Sequence, residues 1–400
     1  MNRAVSVAVT GAGCLCAAGP DLDSCLAALF SGKRAPAPPR LFATGHSVPY
    51  PVFEVGENFF PATCPADPGL LRTARLAIAA AGQALADAGW EAEALTGLRV
   101  GVAVGTTVGS AMNNEEFYRD FRSGNRPGMA AIRHFLASNP AAAVARRFYL
   151  NGPLQTVANA CSSGSDAVAV GAQWLRQGLC DLVIAGGADE LCRTTYNGFV
   201  SLMITSPEAV RPFDRDRRGL NLGEGAGFLV LESAALEQAR PGRTRARLVG
   251  CGAACDAHHL TAPHPQGMGL KRALREALAP LRDDWSGIAF VNAHGTGTLD
   301  NDRVEGMVLG ELLPQVPFHS TKGFTGHTLG AAGGVEAAFT VACLGLGRIP
   351  ASVGCDHPDP QLPVAPVQQV TALAGRYALS QSLAFGGNNT VLLFEKGERP

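Results

Sequence analysis

The chain has 400 residues, 46% of them hydrophobic and 17% charged, with a formal net charge of −1. This length exceeds what one hydrophobic core usually fills, so we expect two closely joined halves of a globular protein, and the composition excludes a disordered one. The near-zero net charge excludes a global field that would recruit nucleic acid or anionic membrane.

The eleven cysteines are scattered through apolar segments. This pattern is typical of free thiols in a reducing compartment, so we expect a cytoplasmic protein. Cys14-Leu-Cys16 lacks the spacing of a zinc site, and no second pair matches it. The start resembles a secretory signal only superficially, because its apolar run alternates and ends in a strand-to-turn pattern at Thr10-Gly-Ala-Gly13. No apolar run reaches the roughly 18–20 residues of a membrane span.

The first half of the chain predicts alternating strands and helices separated by glycine- and proline-rich turns. Asp21 or Asp23 can cap the first helix. Segment 108–140 is irregular with helical pieces, and it either covers an active site or meets a second subunit. The predicted elements are strand 3–12, helix 21–31, surface loop 35–69, helix 70–89, strand 100–104, buried strand 154–158, a helix from Ser163, strand 181–189, charged loop 206–223 and strand 225–232.

After Pro241 the pattern starts again in the same order. Five stretches of the second half resemble stretches of the first, which predicts a duplicated α/β unit with halves 1–245 and 246–400. The two halves would pack their sheets around buried central helices, and 330–347 fits such a helix because its only charged residue is Glu336. The matched stretches are 247–252 with the opening strand, 290–296 with 102–106, 318–333 with the strand and helix around Cys161, 384–389 with 185–189, and 390–395 with 227–232.

Cys161 lies between a predicted strand and a predicted helix and is followed by Ser162-Ser-Gly164. A tight turn there would expose the thiol, as other nucleophile elbows expose their side chains. The free N–H groups and positive end of the following helix favour a thiolate and can hold an oxyanion. The alternative is an inert packing cysteine, which is what most buried thiols are.

Two histidines lie where the duplicated arrangement would bring them near that turn. His294 ends the strand 288–293, and His327 precedes the apolar helix that starts near Gly330. Sites are built at strand ends in α/β sheets, so a thiol and two imidazoles would converge. Each histidine alone is open to a structural, hydrogen-bonded interpretation. A zinc site made of Cys161 and both histidines is a further alternative, disfavoured because the turns lack paired short ligand spacing.

Three stretches together resemble the motifs of the elongating β-ketoacyl-acyl-carrier-protein synthases. They are Asn159-Ala-Cys161-Ser-Ser-Gly, Asn292-Ala-His294-Gly-Thr-Gly-Thr and Lys322-(x)3-Gly326-His327-(x)2-Gly330. Residues 211–219 with 222–227, and Ala384-Phe385-Gly-Gly, resemble two further family stretches. The resemblance covers nearly the whole chain in the family's order. It implies the thiolase fold, a duplicated α/β unit in five layers (αβαβα).

The resemblance implies a ping-pong, decarboxylative Claisen condensation that uses no cofactor and no metal, because both substrates arrive on the phosphopantetheine of a carrier protein. Cys161 would take the acyl group, with the backbone N–H groups of Cys161 and Phe385 as oxyanion hole. His294 and His327 would stabilise the enolate that malonyl-carrier protein leaves on losing carbon dioxide. Lys322 would orient or polarise His327 and its neighbours. The supporting residues are Glu305, as a candidate partner of Lys322, and Leu383, Gly386 and Gly387.

The chain departs from the family pattern at the C-terminal loop. The common Asn-Ser-Phe-Gly-Phe-Gly-Gly reads Gln381-Ser-Leu383-Ala384-Phe385-Gly386-Gly387 here. Leu383 replaces the phenylalanine that gates the acyl pocket, and Ala384 has less backbone freedom than glycine. We therefore expect an altered gate, and a specialised synthase of secondary metabolism over the housekeeping fatty-acid enzyme.

The resemblance also implies protein partners. Carrier proteins are acidic, so a basic rim near the pocket mouth is expected. A homodimer is expected, with a heterodimer containing a chain-length-factor-like subunit as the main variant. The candidate docking residues, each of which has ordinary surface charge as its alternative, are Arg72, Arg75, Arg122, Arg126, Arg133, Arg215, Arg217 and Arg218.

Three other functions are compatible with parts of the sequence. A non-catalytic chain-length subunit should lack the nucleophile, yet Cys161 and both histidines are present. A dinucleotide-binding oxidoreductase is suggested by Thr10-Gly-Ala-Gly13, but the fingerprint is incomplete. A thiolase acting on coenzyme A esters would need a second cysteine where Phe385-Gly-Gly stands.

Overall fold

A computed structural model describes residues 6–62, 64, 69–240, 243–282 and 284–397. The strands are β1 (Val7–Cys16), β2 (Val100–Gly105), β3 (Leu154–Val157), β4 (Leu182–Asp189), β5 (Gly225–Glu232), β6 (Ala246–Cys255), β7 (Ile288–Asn292), β8 (Phe318–His319), β9 (Arg348–Ile349), β10 (Thr371–Ala372), β11 (Tyr377–Ala384) and β12 (Asn388–Lys396). The helices are α1 (Leu22–Phe30), α2 (Arg72–Asp87), α3 (Glu115–Arg122), α4 (Ala130–Ala137), α5 (Pro140–Arg147), α6 (Ser163–Arg176), α7 (Arg193–Ser201), α8 (Ala234–Ala239), α9 (Met268–Leu278), α10 (Leu299–Leu312), α11 (Lys322–Thr325) and α12 (Ala332–Leu346).

The main sheet has a mirrored strand order, β3-β2-β4-β5-β1-β6-β12-β11-β7-β8. Reading outward from the centre, β1 matches β6, β5 matches β12, β4 matches β11, β2 matches β7 and β3 matches β8. Four of these pairs are the ones expected from the internal resemblance, so the duplication predicted from sequence is visible in the topology. The fifth expected match, 384–389 with 185–189, is wrong in register, because 384–389 begins at the last residue of β11 and runs into β12. The halves join where Val7–Val9 pair antiparallel with Ala246–Leu248. The predicted boundary at 245/246 falls where β6 begins, and it stays a prediction as a domain limit.

The helices form three layers around the two halves of the sheet. Helices α2 and α5 cover the first half, and α9 covers the second. Between the halves, α6 and α12 contact each other, and α12 contacts β4 and β5 on one side and β11 and β12 on the other. This is the five-layer α/β arrangement that the sequence predicts. The segment Leu329–Leu346 is long and apolar enough to span a membrane by length and composition, but 89% of it is buried in this central layer.

Pairs of glycines let the outer helices approach the strands at the same place in both halves. A Cβ on Gly11 or Gly13 of β1 would lie 2.1–2.2 Å from a backbone carbonyl of α2. Gly250 and Gly252 of β6 meet α9 in the same way, at 2.0 Å. The predicted end of the first strand at 11–13 is therefore wrong, because these glycines serve close packing in the middle of a strand that runs to Cys16. The dinucleotide-binding alternative depended on a turn at residues 11–13, and it is excluded because these residues lie within β1. Residues 3–5 of that predicted strand lie outside the described residues.

Most other predicted elements are present with shifted ends, and Asp21 caps α1 by accepting a hydrogen bond from the N–H of Ser24 at 2.7 Å. The expectation of a buried strand at 154–158 is wrong for the single chain. Strand β3 is an edge strand, and Leu154 is 46% exposed. Segment 108–140 contains α3 and α4, which expose Phe121 and Leu136. Exposed edges and apolar side chains of this kind are features that folded proteins usually cover.

We expect Gly164→Ala to destabilise the central layer. The new Cβ would lie 2.6 Å from the backbone N of Gly334 and 2.9 Å from the carbonyl O of Gly330. Backbone atoms cannot move aside as flexible side chains can, so the free energy of unfolding should fall by about 1–3 kcal/mol. Gly198→Ala in α7 is the matched control, because its Cβ would meet nothing within 4 Å. Urea unfolding of both variants tests this, and equal midpoints would contradict it.

Candidate active site

Cys161 lies in a strained turn two residues before α6. Ala160 has a φ of +49°, in a region that residues other than glycine seldom adopt. The hydroxyl of Ser163 holds the turn, because it donates to the Ala160 carbonyl at 2.6 Å and accepts from the N–H of Asn159 at 2.7 Å. The strain is thus stored in the residue before the thiol, and Cys161 itself is only 3% exposed.

The resting form of Cys161 differs from the thiolate expected from sequence. Burial raises the pKa of the thiol to about 12, although the Lys322 charge and the N–H of Phe385 lower it in part. The positive end of one helix does not outweigh the cost of desolvating an anion at this depth. Cys161 therefore rests as a neutral thiol, and its proton must leave during the reaction that uses it.

His327 contacts the sulfur directly, with Nε2 3.0 Å from Cys161 Sγ. Its backbone is fixed by the loop 206–223, because its N–H donates to the Asn221 carbonyl at 2.8 Å and its carbonyl accepts from Gly223 at 3.0 Å. Nδ1 of the ring accepts the N–H of Leu329 at 3.2 Å. Since Nδ1 is an acceptor, the proton of the neutral ring is on Nε2 and points to the reacting sulfur.

His294 follows β7 and presents its ring 5.2 Å from that of His327, nearly perpendicular to it. Its Nδ1 lies 3.1 Å from Nζ of Lys322. An ammonium group can only donate, so Nδ1 accepts and the ring proton is again on Nε2. The structure thus brings the three residues together in one cavity, with Nε2 of His327 in contact with the sulfur and the His294 ring beside that of His327.

Burial lowers the pKa of both histidines well below the usual value, and the nearby Lys322 charge lowers it further. Both rings should therefore stay neutral in the folded protein at pH values where an exposed histidine, with a pKa of about 6.5, takes up a proton. Because the unfolded chain would bind those protons, this pair contributes stability above about pH 6.5 that is lost as the pH falls below it.

We expect the ring resonances of His294 and His327 not to titrate between about pH 5.5 and 8. Nitrogen-edited NMR of the ring nitrogens measures this, with His294→Asn and His327→Asn supplying the assignments. A midpoint near 6.5 for either ring would contradict the neutral, Nε2-protonated state.

The partner of Lys322 is Glu336, so the expected pairing with Glu305 is wrong. Lys322 and Glu336 form a buried ion pair, and Nζ also donates to the His294 carbonyl at 2.6 Å. Glu305 instead accepts the backbone N–H groups of His294 at 2.6 Å and Gly295 at 2.8 Å. Glu305 holds the histidine backbone, whereas Glu336 neutralises the cation. The signal in the sequence was the single carboxylate in an apolar helix.

A cavity of about 260 Å³ leads from the surface to this group. Phe385 stacks on Phe199 at 5.4 Å between ring centroids, and Phe199 meets His327 edge-on at 6.4 Å, so Phe199 belongs to the site although the sequence did not indicate it. The lining residues include Cys161, His294, His327, Thr296, Thr298, Leu299, Arg218, Met203, Leu383, Ala384 and Phe385.

The C-terminal loop reaches the site through two glycines. Gly386 and Gly387 have φ of +82° and +79°, which favour glycine, and the N–H of Gly386 donates to the Leu260 carbonyl at 2.8 Å. Leu383 faces the cavity and is only 6% exposed. Ala384 is extended, with φ −128° and ψ 155°, so this backbone does not require a glycine there.

One side chain ties this loop to the cysteine turn. Nδ2 of Asn388 donates to Oδ1 of Asn159 at 2.7 Å and to the carbonyl of Phe385 at 3.3 Å. Asn159 in turn donates to Asp166 at 2.7 Å, and Ser162 donates to the same carboxylate at 2.8 Å. The N–H of Phe385 and the turn at Cys161 are therefore held by one hydrogen-bonded network, which suits the pair of donors expected to form an oxyanion hole.

The predicted docking arginines fall into two groups. Arg72 pairs with Glu224 and Glu57, and Arg75 pairs with Glu57. Arg217 is 6% exposed and donates to Asp359 at 2.6 Å. These three arginines are paired with carboxylates of the same chain. The burial of Arg217 excludes it as a docking residue, and the ion pairs of Arg72 and Arg75 make those two weaker candidates for docking. The remaining candidates are exposed, and they are Arg122, Arg126, Arg133, Arg215 and Arg218, of which Arg218 lines the cavity.

The arrangement does not suit the zinc alternative. Nδ1 of His294 is taken by Lys322, and its other nitrogen carries the proton. A cation beside the ring opposes the binding of a second cation.

Comparison with known proteins identifies the family that the chain matches. The family description "Beta-ketoacyl synthase, N-terminal domain" matches residues 4–237, and "Beta-ketoacyl synthase, C-terminal domain" matches residues 245–356. A 3-oxoacyl-acyl-carrier-protein synthase 2 from Synechocystis is 32% identical over 339 residues, 81% of this chain and 82% of that protein.

Two solved structures are similar over nearly their whole length. The ishigamide ketosynthase/chain length factor has a TM-score of 0.90 and 30% identity, covering 98% of this chain and 99% of that one. A ketosynthase in complex with its chain length factor from Xenorhabdus doucetiae has a TM-score of 0.85 and 30% identity, covering 99% of each chain.

Proposed function

The chain belongs to the beta-ketoacyl synthase family, and from this we propose that Cys161, His294 and His327 perform its decarboxylative condensation. It is a condensing acyltransferase of fatty-acid or polyketide biosynthesis. The observation that carries the assignment of roles is that both imidazoles line the same cavity as Cys161, with Nε2 of His327 3.0 Å from the sulfur and the His294 ring beside that of His327. A thiolase would need a second reactive cysteine near the C-terminal Gly-Gly, where Phe385 stands.

In the first step Cys161 attacks the thioester of an acyl-carrier protein. The C–S bond to Cys161 forms, the bond to the phosphopantetheine sulfur breaks, and the thiol proton of Cys161 ends on the departing sulfur. The N–H groups of Cys161 and Phe385 hold the tetrahedral oxyanion, kept in position by Asn388 and Asn159. A neutral thiol suits this step, because no separate anion has to be stored in the buried site.

In the second step malonyl-carrier protein occupies the cavity and loses carbon dioxide. The electrons of the broken C–C bond form an enolate, whose oxygen accepts hydrogen bonds from Nε2 of His294 and of His327. The enolate carbon then attacks the acyl-Cys161 carbonyl and expels the sulfur, which takes up one proton. The product is a β-ketoacyl thioester two carbons longer. Lys322 keeps Nδ1 of His294 an acceptor, and thereby keeps the proton on the nitrogen that faces the substrate.

The reaction needs no cofactor of the protein's own, because both acyl groups arrive on phosphopantetheine. The partner we propose is an acyl carrier protein, and eleven free cysteines support a cytoplasmic setting.

The exposed β3 edge and the apolar residues of α3 and α4 support a dimer at that face. A homodimer is our proposal. A heterodimer with a chain-length-factor-like subunit is the second candidate, favoured by the pairing of the similar ketosynthases with such factors.

We expect Arg218→Glu to weaken docking of the acidic carrier protein. Arg218 is exposed and lines the cavity mouth, so reversing its charge should raise KM several-fold, with kcat unchanged and with greater effect at low salt. Steady-state kinetics with a carrier-protein substrate measures this. Arg272→Glu, on the exposed face of the outer helix α9, is the control. Equal KM values for the two variants would contradict docking at Arg218.

Acyl loading followed by intact-protein mass spectrometry tests the proposed function. The protein is mixed with a panel of acyl-carrier proteins, and Cys161→Ala serves as the blank. A mass gain of one acyl group that is absent in the blank is expected, and the chain loaded best indicates the substrate class. If no donor loads the chain alone or with a co-expressed chain-length-factor-like subunit, the proposal is wrong.

A further inference from the structure

Three thiols meet in the first half of the fold, away from the residues that line the cavity. The Sγ atoms of Cys14, Cys16 and Cys25 all lie within 4.8 Å of one another, and Cys16 Sγ is 3.5 Å from Cys25 Sγ. All three side chains are fully buried, at 0% exposure, and all are free thiols. Such close grouping of soft donor atoms is the arrangement that a thiophilic metal ion requires.

The local fold produces this grouping from a close pair in one strand and a third cysteine in the next helix. Cys14 and Cys16 alternate along β1 and so point to the same face of the strand. Cys16 and Gly19 then exchange backbone hydrogen bonds at 3.1 Å, which turns the chain back over that face. Helix α1 follows and places Cys25 next to Cys14 and Cys16. The third donor therefore comes from the next element, which explains why the short pair in the sequence does not read as a metal site.

The number and kind of donors select the ion. Among the described residues, no carboxylate or imidazole joins the three sulfurs within the same mutual reach. Structural zinc and iron–sulfur clusters take four protein ligands, whereas hard ions prefer oxygen. Soft thiolate ligands select Cu(I), a d10 ion that accepts a three-coordinate shell made of sulfur alone.

We propose that Cys14, Cys16 and Cys25 form a trigonal, all-sulfur site for a soft monovalent metal ion of the Cu(I) class. The ion would link the end of β1 to α1 as a structural staple. The site is independent of the condensation, because none of the three cysteines lines the catalytic cavity.

The test is anaerobic Cu(I) titration against a chromogenic Cu(I) chelator, in the Cys161→Ala background so that the cavity thiol cannot compete. We expect this protein to retain one equivalent of Cu(I) and its thermal midpoint to rise with the ion. X-ray absorption should show a first shell of three sulfurs and no lighter atoms.

Cys25→Ala should lose the retained equivalent, and Cys343→Ala should keep it. Cys343 is the matched control, because it is equally buried, at 0% exposure, in α12 and outside the cluster. Circular dichroism of both variants establishes that they fold. Equal retention by the two variants, or loss of all Cu(I) to the chelator by the parent protein, would overturn the proposal. If Cys25→Ala fails to fold, the X-ray absorption spectrum of the parent protein still tests the proposal, because a first shell other than three sulfurs would contradict it.

Discussion

We expect Lys322→Met to abolish condensation and to lower the free energy of unfolding by about 3–5 kcal/mol, the cost of breaking a buried ion pair from one side. Lys322 and Glu336 are 1% and 2% exposed, so the remaining carboxylate has no access to water. Burial already raises the pKa of Glu336 to about 7 with the cation present. Without Lys322 the Glu336 carboxyl will take up a proton, and Nδ1 of His294 loses its donor. Urea unfolding and product formation measure the two effects.

The double variant Lys322→Met with Glu336→Gln separates them. It removes both charges, so most of the lost stability should return, but not the activity, because the His294 ring is still unsupported. Lys271→Met is the matched control. Its pair with Glu311 has side chains 13% and 49% exposed, and such a pair is worth at most about 1 kcal/mol. The interpretation fails if the double variant regains activity, or if the two single lysine variants are equally stable.

We expect His294→Ala and His327→Ala each to slow decarboxylation of malonyl-carrier protein by about 10²–10³-fold, the usual effect of removing one donor to a developing oxyanion. The reason is that each ring supplies one Nε2–H to the enolate oxygen. His294 does not touch the sulfur, so His294→Ala should still accept an acyl group on Cys161. His327→Ala should also load more slowly, because Nε2 contacts Sγ at 3.0 Å. Carbon dioxide release and acyl loading in single turnovers measure these steps.

His46→Ala serves as the control, because His46 lies on the surface and bonds Asn197 at 3.0 Å. Equal loss of loading in the His294 and His327 variants would be evidence against the different positions assigned to them. Undiminished carbon dioxide release in either variant would remove that ring from the stabilisation of the enolate.

The reacting residues could be read from the sequence because each lies in a short, glycine-rich motif, after a strand for Cys161 and His294 and before the central helix α12 for His327. Cys161, His294 and His327 come together only through the duplicated topology, which the internal resemblance also predicted. The partner of Lys322 could not be found in the same way. Glu336 is fourteen residues away on another helix, and only packing decides that it, and not Glu305, reaches the cation.

Burial was the other point at which the sequence misled. In the sequence, Gly11 and Gly13 suggest a turn. In the structure they are glycines because the backbone of a helix lies against them, and the sequence does not show that contact. Strand 154–158 looks buried by composition, but it lies at the edge of the sheet, where its first two residues are exposed. The thiol of Cys161 was assigned a charge from its position before a helix, whereas the depth of the site, a property of the whole fold, decides its protonation.

The mirrored sheet has a consequence for how the two copies of the unit have diverged. The turn after β3 carries Cys161, and the turn after its counterpart β8 carries Lys322. One copy of the same structural position thus holds the nucleophile and the other holds a fixed cation, while both imidazoles come from the second copy. Neither copy retains a full set of reactive groups. If the two halves were produced as separate fragments, condensation activity would return only when the fragments reassociate. Catalysis in this fold therefore depends on the interface between the two copies.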